Sequence, residues 1–409
     1  MTAVIVIEPR SAGTALIAAA ARLGATAHIL STNECRASRE LHAAATTYTL
    51  IDTASPNAVA AAACAIGADA IVPGCEHATG VAAEAATLLG LPHLQPEAAA
   101  LTRDKYLNRL HLSDAGLAVP VTALITHRRD IMTAALQVGF PAVLKPVRRC
   151  GGAQVTYVNS LAQLQLAAER AMRHGAFDSA RETSKVLLLE QYMEGPEYSA
   201  EGYVSERGPR VVSVTERLLS AEPYFVEMGQ FVEAALAAEH RTALVAYVER
   251  TAAQMGLTLG VFHAKVRMTR DGPVLIKLAA CLGGHRIYRL VELSRSISLP
   301  EIAIRSHLGD PEPAATIDTT PARCVSGVRF LAPLGERFAG SAAVERVRAM
   351  PGFQEVEVYS HIGGTVPQLA TATGRIGHVL FTALDRPTLE LRLAEALRAL
   401  RFRHVHNDI

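Results

Sequence analysis

Lys145 closes the apolar run PAVLKP, and the segment VRRCGGAQV follows at once, so an ammonium, the guanidiniums of Arg148 and Arg149 and a glycine-containing loop stand together. Such a set suits a phosphate, which takes cationic side chains and backbone N–H groups alike. A Lys-Pro pair also serves simply to close a strand. Farther along, Cys281 follows Lys265 and Lys277, and nearby cations lower a thiol's pKa, which allows either a nucleophile or an inert buried thiol. Gly283 and Gly284 come next; their N–H groups can face an oxyanion or form an ordinary turn. His263 and His285 lie close in sequence to these residues, but fifteen histidines in the chain make that proximity expected by chance. G-x-S-x-G, H-E-x-x-H and Walker-type loops are missing, so the sequence points to no other enzyme class.

The elements that must position these residues follow from pattern. The apolar strand Ala3–Ile7, the turn EPRSAG, an Ala-rich helix over Thr14–Leu23 and the strand Ala27–Leu30 make a βαβ opening, repeated around the strand Ala70–Gly74. Residues 1 to about 105 therefore read as a small doubly wound parallel sheet. A helix over Arg103–Ala115 and strands at Thr122–Thr126 and Ala142–Lys145 follow. Strand patterns then dominate to about residue 280, interrupted by a helix around Ala235–Met255. Arg270-Asp271-Gly272 reads as a hairpin turn in which Asp-Gly supplies positive φ. Three more strands and a helix over Thr388–Arg401 complete an α+β ending.

The chain has 409 residues, half of them hydrophobic, which exceeds one ordinary core and excludes a disordered composition. Forty basic residues nearly cancel thirty-nine acidic ones, so no global field draws it to nucleic acid or an anionic membrane. Six scattered cysteines form neither a C-x-x-C pair nor a His/Cys cluster, as expected of a reducing cytoplasm. No export signal and no membrane anchor is expected.

In order, RDKYLNRL, GFPAVLKPVRRCGG, LLLEQYMEGPEYSAEGYV, TERLLSAEPYFVEMGQ, FHAKVRMTRDGPVLIKLAACLGGHRI and HIGGTVPQLATATGRIGHVL resemble the ATP-grasp superfamily, in particular bacterial L-amino-acid ligases and related carboxylate–amine ligases. The resemblance covers about residues 100 to 380. It implies an ATP-grasp body over about 106–310, with a small lobe to about 188 and a large lobe from 189, followed by a carboxy-terminal α+β subdomain over 311–409. It also implies that Lys105 and Lys145 contact a nucleotide's phosphates and that Glu190, Gln191, Tyr192 and Met193 form the adenine hinge. Glu197 would then accept from ribose hydroxyls.

The departures from that family bear on mechanism. Relatives hold magnesium with a Glu on one strand and another twelve residues on; Lys265 and Lys277 stand here. An Asn and an Arg that often follow are Ala279 and Cys281, and Gln230 replaces a His after the retained Glu227. Magnesium requires oxygen ligands and an ammonium only donates, so the family's metal ligands are absent at these positions. The two lysines could instead pair directly with phosphates.

The resemblance implies ATP, with magnesium expected for the family, and a reaction in which ATP activates a carboxylate and an amine attacks the acyl phosphate. Arg217, Glu227, Gly283 and Gly284 are the expected catalytic positions; small carboxylates and amines are the expected substrates, a homodimer is compatible with the sequence, and the expected location is cytoplasmic. The substitutions Lys265, Lys277 and Cys281 leave open a catalytically degenerate protein that binds a nucleotide or metabolite or supports a partner enzyme.

Overall fold

The structure, a computed structural model, describes residues 1–33, 44–148, 155–174, 176–178, 181–183, 186–220, 225–310, 322–332, 337–341, 344–359, 364–365, 374–400 and 402–404. Arg149 of the basic loop lies outside the described residues.

Strands β1 (Ala3–Ile7), β2 (Thr26–Ser31), β3 (Thr47–Leu50) and β4 (Ala70–Pro73) form a parallel sheet in the order β3-β2-β1-β4. Every residue of β1 is buried, which explains its unbroken apolar run: a parallel strand covered on both faces has no polar side. One face packs on helix Ala15–Arg22 and on the distant helix Leu299–His307, the other on helices Pro56–Ile66 and Thr79–Leu89. Ser55 caps helix Pro56–Ile66 by accepting from the Ala58 N–H, with Pro56 in its first turn and Gly67 in the left-handed conformation beyond its end. The strand order reverses between β1 and β4. Crevices outside the carboxyl ends of strands at such a reversal are where open α/β sheets take ligands.

A second, antiparallel sheet comprises β5 (Thr122–Ile125), β6 (Ala142–Pro146), β7 (Thr156–Val158) and β10 (Leu187–Gln191), in the order β5-β10-β6-β7. Helices Asp130–Val138 and Leu161–His174 contribute to a core that contains only residues of this part of the chain. Strands β8 (Ala176–Asp178) and β9 (Arg181–Thr183) form a separate ribbon.

The large sheet has eight strands, β11 (Glu197–Ser205), β12 (Gly208–Leu219), β13 (Glu227–Val232), β14 (Val261–Thr269), β15 (Gly272–Ala279), β16 (Val325–Leu331), β18 (Phe353–Val358) and β20 (Gly377–Ala383), ordered β15-β14-β11-β12-β13-β16-β20-β18. The last three strands extend the same sheet through the β13–β16 pairing. Strands β17 (Arg337–Ser341), β19 (Gly364–Thr365) and β21 (Phe402–His404) form a small sheet of their own. At the hairpin between β14 and β15, Thr269 pairs with Gly272 around Arg270 and Asp271. Gly272 alone of the three takes a positive φ, +117°, so the Asp-Gly signal is met at the glycine only.

The helix expected over Arg103–Ala115 is found at Lys105–Asp114, and a further helix, Pro96–Arg103, precedes it. Asp104 separates them in an extended conformation, and its carboxylate accepts from the N–H groups of Tyr106 and Leu107. This cap satisfies two donors that a new helix would leave open. It also places Lys105 at the first helical position.

Candidate functional site: a lysine cluster between three sheets

Lys145, on β6, lies opposite Leu188 of β10 and forms a buried ion pair with Glu190 two residues along. On its other side Glu190 receives the Arg109 Nε–H at 2.9 Å. Arg109 also donates to the Ile276 carbonyl of β15 at 2.7 Å and to Asn108 Oδ1 at 2.9 Å. Burial pushes the Glu190 carboxyl up, but Arg109 and Lys145 outweigh it and hold it below the ordinary carboxylate range. Its side chain is thus the counter-ion of two buried cations.

Lys105 donates to the carbonyls of Val147 at 3.1 Å and Pro146 at 3.4 Å. Asp104 beside it receives Arg148 Nε at 2.9 Å, tying the start of the basic loop to the helix cap. Burial first, then the neighbouring Lys145 and Lys277, lower the Lys105 pKa to about 7.

Lys265 and Lys277 are direct cross-strand partners on β14 and β15, a like-charge pairing that costs stability unless each finds an anion. Lys277 has one: Glu76, from the turn after β4 in the parallel sheet. Burial pushes the Glu76 carboxyl up, but Lys277, Arg103 and Lys105 bring its pKa down to about 2. Lys265 makes no hydrogen bond or ion pair among the described residues. Burial and Arg217 lower its pKa to about 8 against the opposing pull of Glu227 and Glu197.

Arg217 of β12 joins Glu197, at 2.6 Å, to Glu227, with which it forms a second ion pair. Glu197 also receives Arg267 at 3.1 Å, so both of its oxygens are engaged. His285 Nδ1 stands 3.2 Å from Glu227, and Arg375 donates to the Glu227 carbonyl at 3.3 Å. Burial raises the Glu227 carboxyl, yet Arg217 and His285 hold it well below its usual range. Gln230, opposite Arg217, is buried with both amide atoms unpaired; Ser199, Ser213 and Thr215, on β11 and β12, also have unpaired buried hydroxyls.

Along the hinge, the Gln191 N–H donates to Val121 O at 2.9 Å and the Tyr192 N–H to Pro141 O at 3.1 Å. These two donors are committed within the small sheet, which leaves the segment's carbonyls and Met193 for any base edge. The Tyr192 ring stacks on Phe225 with centroids 6.3 Å apart, meets Tyr157 edge-on at 5.1 Å and lies under Arg267 at 5.9 Å.

Gly283 is required by close approach. A Cβ there would lie 2.7 Å from Glu201 Oε2 and 2.8 Å from His263 Nδ1, and these two side chains are themselves joined at 2.7 Å. A Cβ on Gly284 would lie 3.4 Å from Ser11 Oγ of the EPRSAG turn. Ala279 and Cys281 are buried. Away from this cluster, Glu355, Glu357 and His378 have metal-ligating atoms within 4.8 Å of one another, but Arg286 already occupies both carboxylates, at 2.7 and 2.6 Å.

The structure therefore brings together Lys105, Lys145, Glu190, Glu197, Arg217, Glu227, Lys265 and Lys277. Sequence reasoning missed Glu76, Arg109, Glu201, Arg267 and Arg375. Glu76 carried a usable signal, because it directly follows the strand that borders the order reversal of the parallel sheet.

Comparison with known proteins gives two family matches: the ATP-grasp domain over residues 138–288, and the L-amino acid ligase C-terminal domain 2 over residues 329–405. An uncharacterized protein y4rH of Sinorhizobium fredii is 25% identical over 76% of this chain and 63% of its own length. Dapdiamide A synthase of Enterobacter agglomerans is 28% identical over 53% of this chain and 51% of its own, and human carnosine synthase 1 is 28% identical over 48% and 25%. The chain thus spans less than two thirds of the length of each of these curated relatives. Among solved structures, an L-amino acid ligase from Bacillus licheniformis superposes with a TM-score of 0.86 over 99% of both chains at 19% identity. N5-carboxyaminoimidazole ribonucleotide synthetase from Thermotoga maritima gives 0.71 over 99% and 100% at 15% identity. These low identities establish the fold. Nothing in the likenesses favours a catalytically degenerate protein over a ligase. No helix among the described residues is long and apolar enough to cross a membrane.

Proposed function

We propose that this chain, which matches the ATP-grasp domain over residues 138–288 and the L-amino acid ligase C-terminal domain 2 over residues 329–405, binds ATP among its three sheets and joins a small carboxylate to an amine through an acyl phosphate. One observation carries this reading: four lysines from two sheets and a helix, Lys105, Lys145, Lys265 and Lys277, are close enough to couple electrostatically around one place. So costly a concentration of buried positive charge calls for a polyanion.

ATP-grasp proteins generally bind ATP with magnesium. At Lys265 and Lys277 the donor set does not fit that ion, since ammonium groups offer no lone pair and Glu76 is already tied to one of them. Charge neutralisation of the phosphates falls instead to the lysines, and no step is routed through a metal. In the proposed reaction a carboxylate oxygen attacks the γ-phosphorus and ADP leaves. The amine then attacks the acyl carbon, inorganic phosphate leaves, and the amine's proton passes to solvent. Lys105 and Lys265 meet the β- and γ-phosphates, Lys145 stays braced by Glu190, and Arg217 with Glu227 faces the substrates. The Tyr192 platform and Met193 take the adenine.

The test is release of ADP and phosphate that depends on an added amino acid, screened with carboxylate and amine partners. Absence of turnover across a broad panel would refute the ligase reading. Calorimetric titration of ATP with magnesium and with a chelator tests the charge assignment: equal affinity supports lysine neutralisation, whereas binding only with magnesium refutes it. Two finer readings accompany the proposal, a cytoplasmic bacterial setting and a homodimer; sedimentation equilibrium checks the latter.

A further inference from the structure

Lys265 and Lys277 are neighbours of the same type in the same register, yet they stand in different states. Lys265 has no ion-pair partner among the described residues, whereas Lys277 is paired with Glu76. Glu76 comes from the carboxyl edge of the parallel sheet, immediately beyond β4 and beside the order reversal. The turn that carries it is rigidly built. A Cβ on Gly74 would fall 2.6 Å from both Ile7 O and Pro9 Cα, and one on Gly13 would fall 1.8 Å from Gly74 O, so backbone packs on backbone at this edge. The carboxylate is thus held out from this platform to a lysine on β15, the cross-strand neighbour of Lys265 in the cluster that the proposed function reads as a polyanion site.

We propose that Glu76 is a built-in competitor for the nucleotide: its carboxylate occupies Lys277 in the unliganded protein, and ATP binds fully only when a phosphate displaces it. The inference rests on the reading of the lysine cluster as a phosphate site. A carboxylate and a phosphate oxygen recognise an ammonium by the same charge-assisted hydrogen bond, so the two compete for one donor. The displaced carboxylate has another partner within electrostatic reach. Arg103 lies near Glu76, and its Nη1 is buried with no hydrogen-bond partner among the described residues. Transfer of Glu76 from Lys277 to Arg103 would satisfy that orphaned donor, which lowers the cost of release. Nucleotide binding would thereby exchange a contact between the parallel sheet and the large sheet for one made to the end of helix Pro96–Arg103.

ATP affinity, measured calorimetrically in the presence of a chelator for the wild type, Glu76→Gln, Lys277→Met and the double variant, tests this. Removing the competitor should tighten binding on the order of tenfold or more, in keeping with couplings measured for close charge pairs. The gain should vanish in the Lys277→Met background. Should Glu76→Gln fail to fold, as judged by thermal unfolding, Glu76→Asp keeps the charge but shortens the reach and should tighten binding to a smaller degree. Unchanged or weaker binding in a folded variant overturns the proposal, as does a gain that persists without Lys277, which would mean simple long-range repulsion. If the wild type and all variants fail to bind ATP, the phosphate-site reading itself falls and this inference with it. Wild-type binding with no gain in the variants refutes the competitor alone.

Discussion

Raising the pH from 7 to 9 should weaken chelator-insensitive ATP binding by roughly 500-fold, about 4 kcal/mol at 1.36 kcal/mol per pKa unit. The reasoning starts from two ammoniums that the proposed function assigns to phosphates: Lys105, with its pKa lowered to about 7, and Lys265, lowered to about 8. The charge of a bound polyanion outweighs the burial and the neighbouring cations that lower these values and restores both to charged lysines, so binding takes up protons. At pH 8, titrations in buffers of different ionisation heat should report uptake of about 1.4 protons per ATP, falling to about 0.5 in Lys105→Met. The free protein should show the opposite trend. A lysine whose folded pKa is depressed binds fewer protons folded than unfolded between about 7 and 10.5, so its contribution to stability rises with pH over that window while ATP affinity falls. Affinity constant to within twofold from pH 7 to 9, with no proton uptake, would refute the placement of these lysines against phosphate.

Four further outcomes follow from the geometry. Glu190→Gln leaves Lys145 and Arg109 buried without their shared carboxylate, and chemical denaturation should show a loss on the order of 3–5 kcal/mol. Arg217→Met strips Glu197 and Glu227 of a common cation; a loss of similar order is expected, with amino-acid-dependent ADP release abolished even where the protein remains folded. Gly283→Ala drives a methyl onto Glu201 and His263, so turnover should fall sharply while ATP affinity, set by lysines on other elements, changes little. Glu8, whose burial is outweighed by hydrogen bonds from Thr53, Thr32 and Arg10, has its pKa lowered to about 2. Its stabilisation is therefore present above about pH 4.5 and lost as the pH falls toward 2, and Glu8→Gln should flatten that acid limb of stability by on the order of 1–2 kcal/mol, allowing for solvent screening.

How much of this was legible in the sequence depended on whether a residue's partner was local. The buried strand AVIVI, the hairpin at Gly272 and the helix Ala238–Gln254 are announced by short-range pattern, and the structure places them within a few residues of expectation. The strand Thr47–Leu50 passed unnoticed because its TYTL pattern on the mostly exposed sheet edge offers no apolar run. The break at Asp104 was hidden by helix-forming residues on both sides, since a capping residue shows itself only once its neighbours' N–H groups need it. Sequence order gives no hint that Arg109, eighty-one residues earlier, supplies Glu190 with a second cation. Glu76 and Lys277 lie two hundred and one residues apart, and nothing in the chain's periodicity links them.

The distribution of cores has a mechanical consequence. Side chains from the parallel sheet, from the large sheet and from its carboxy-terminal strands interdigitate in one shared interior, which includes Val4, Val232, Val328 and Leu380 along with helix Leu299–His307. Relative rotation of those parts would open voids throughout that interior, and close-packed cores resist such shear. The antiparallel sheet of β5, β6, β7 and β10 encloses its own side chains and shares none of that interior. Its ties to the rest of the molecule include the polar contacts Arg109–Glu190 and Lys105–Val147, so displacement of this sheet would break hydrogen bonds and ion pairs without opening voids in the shared interior.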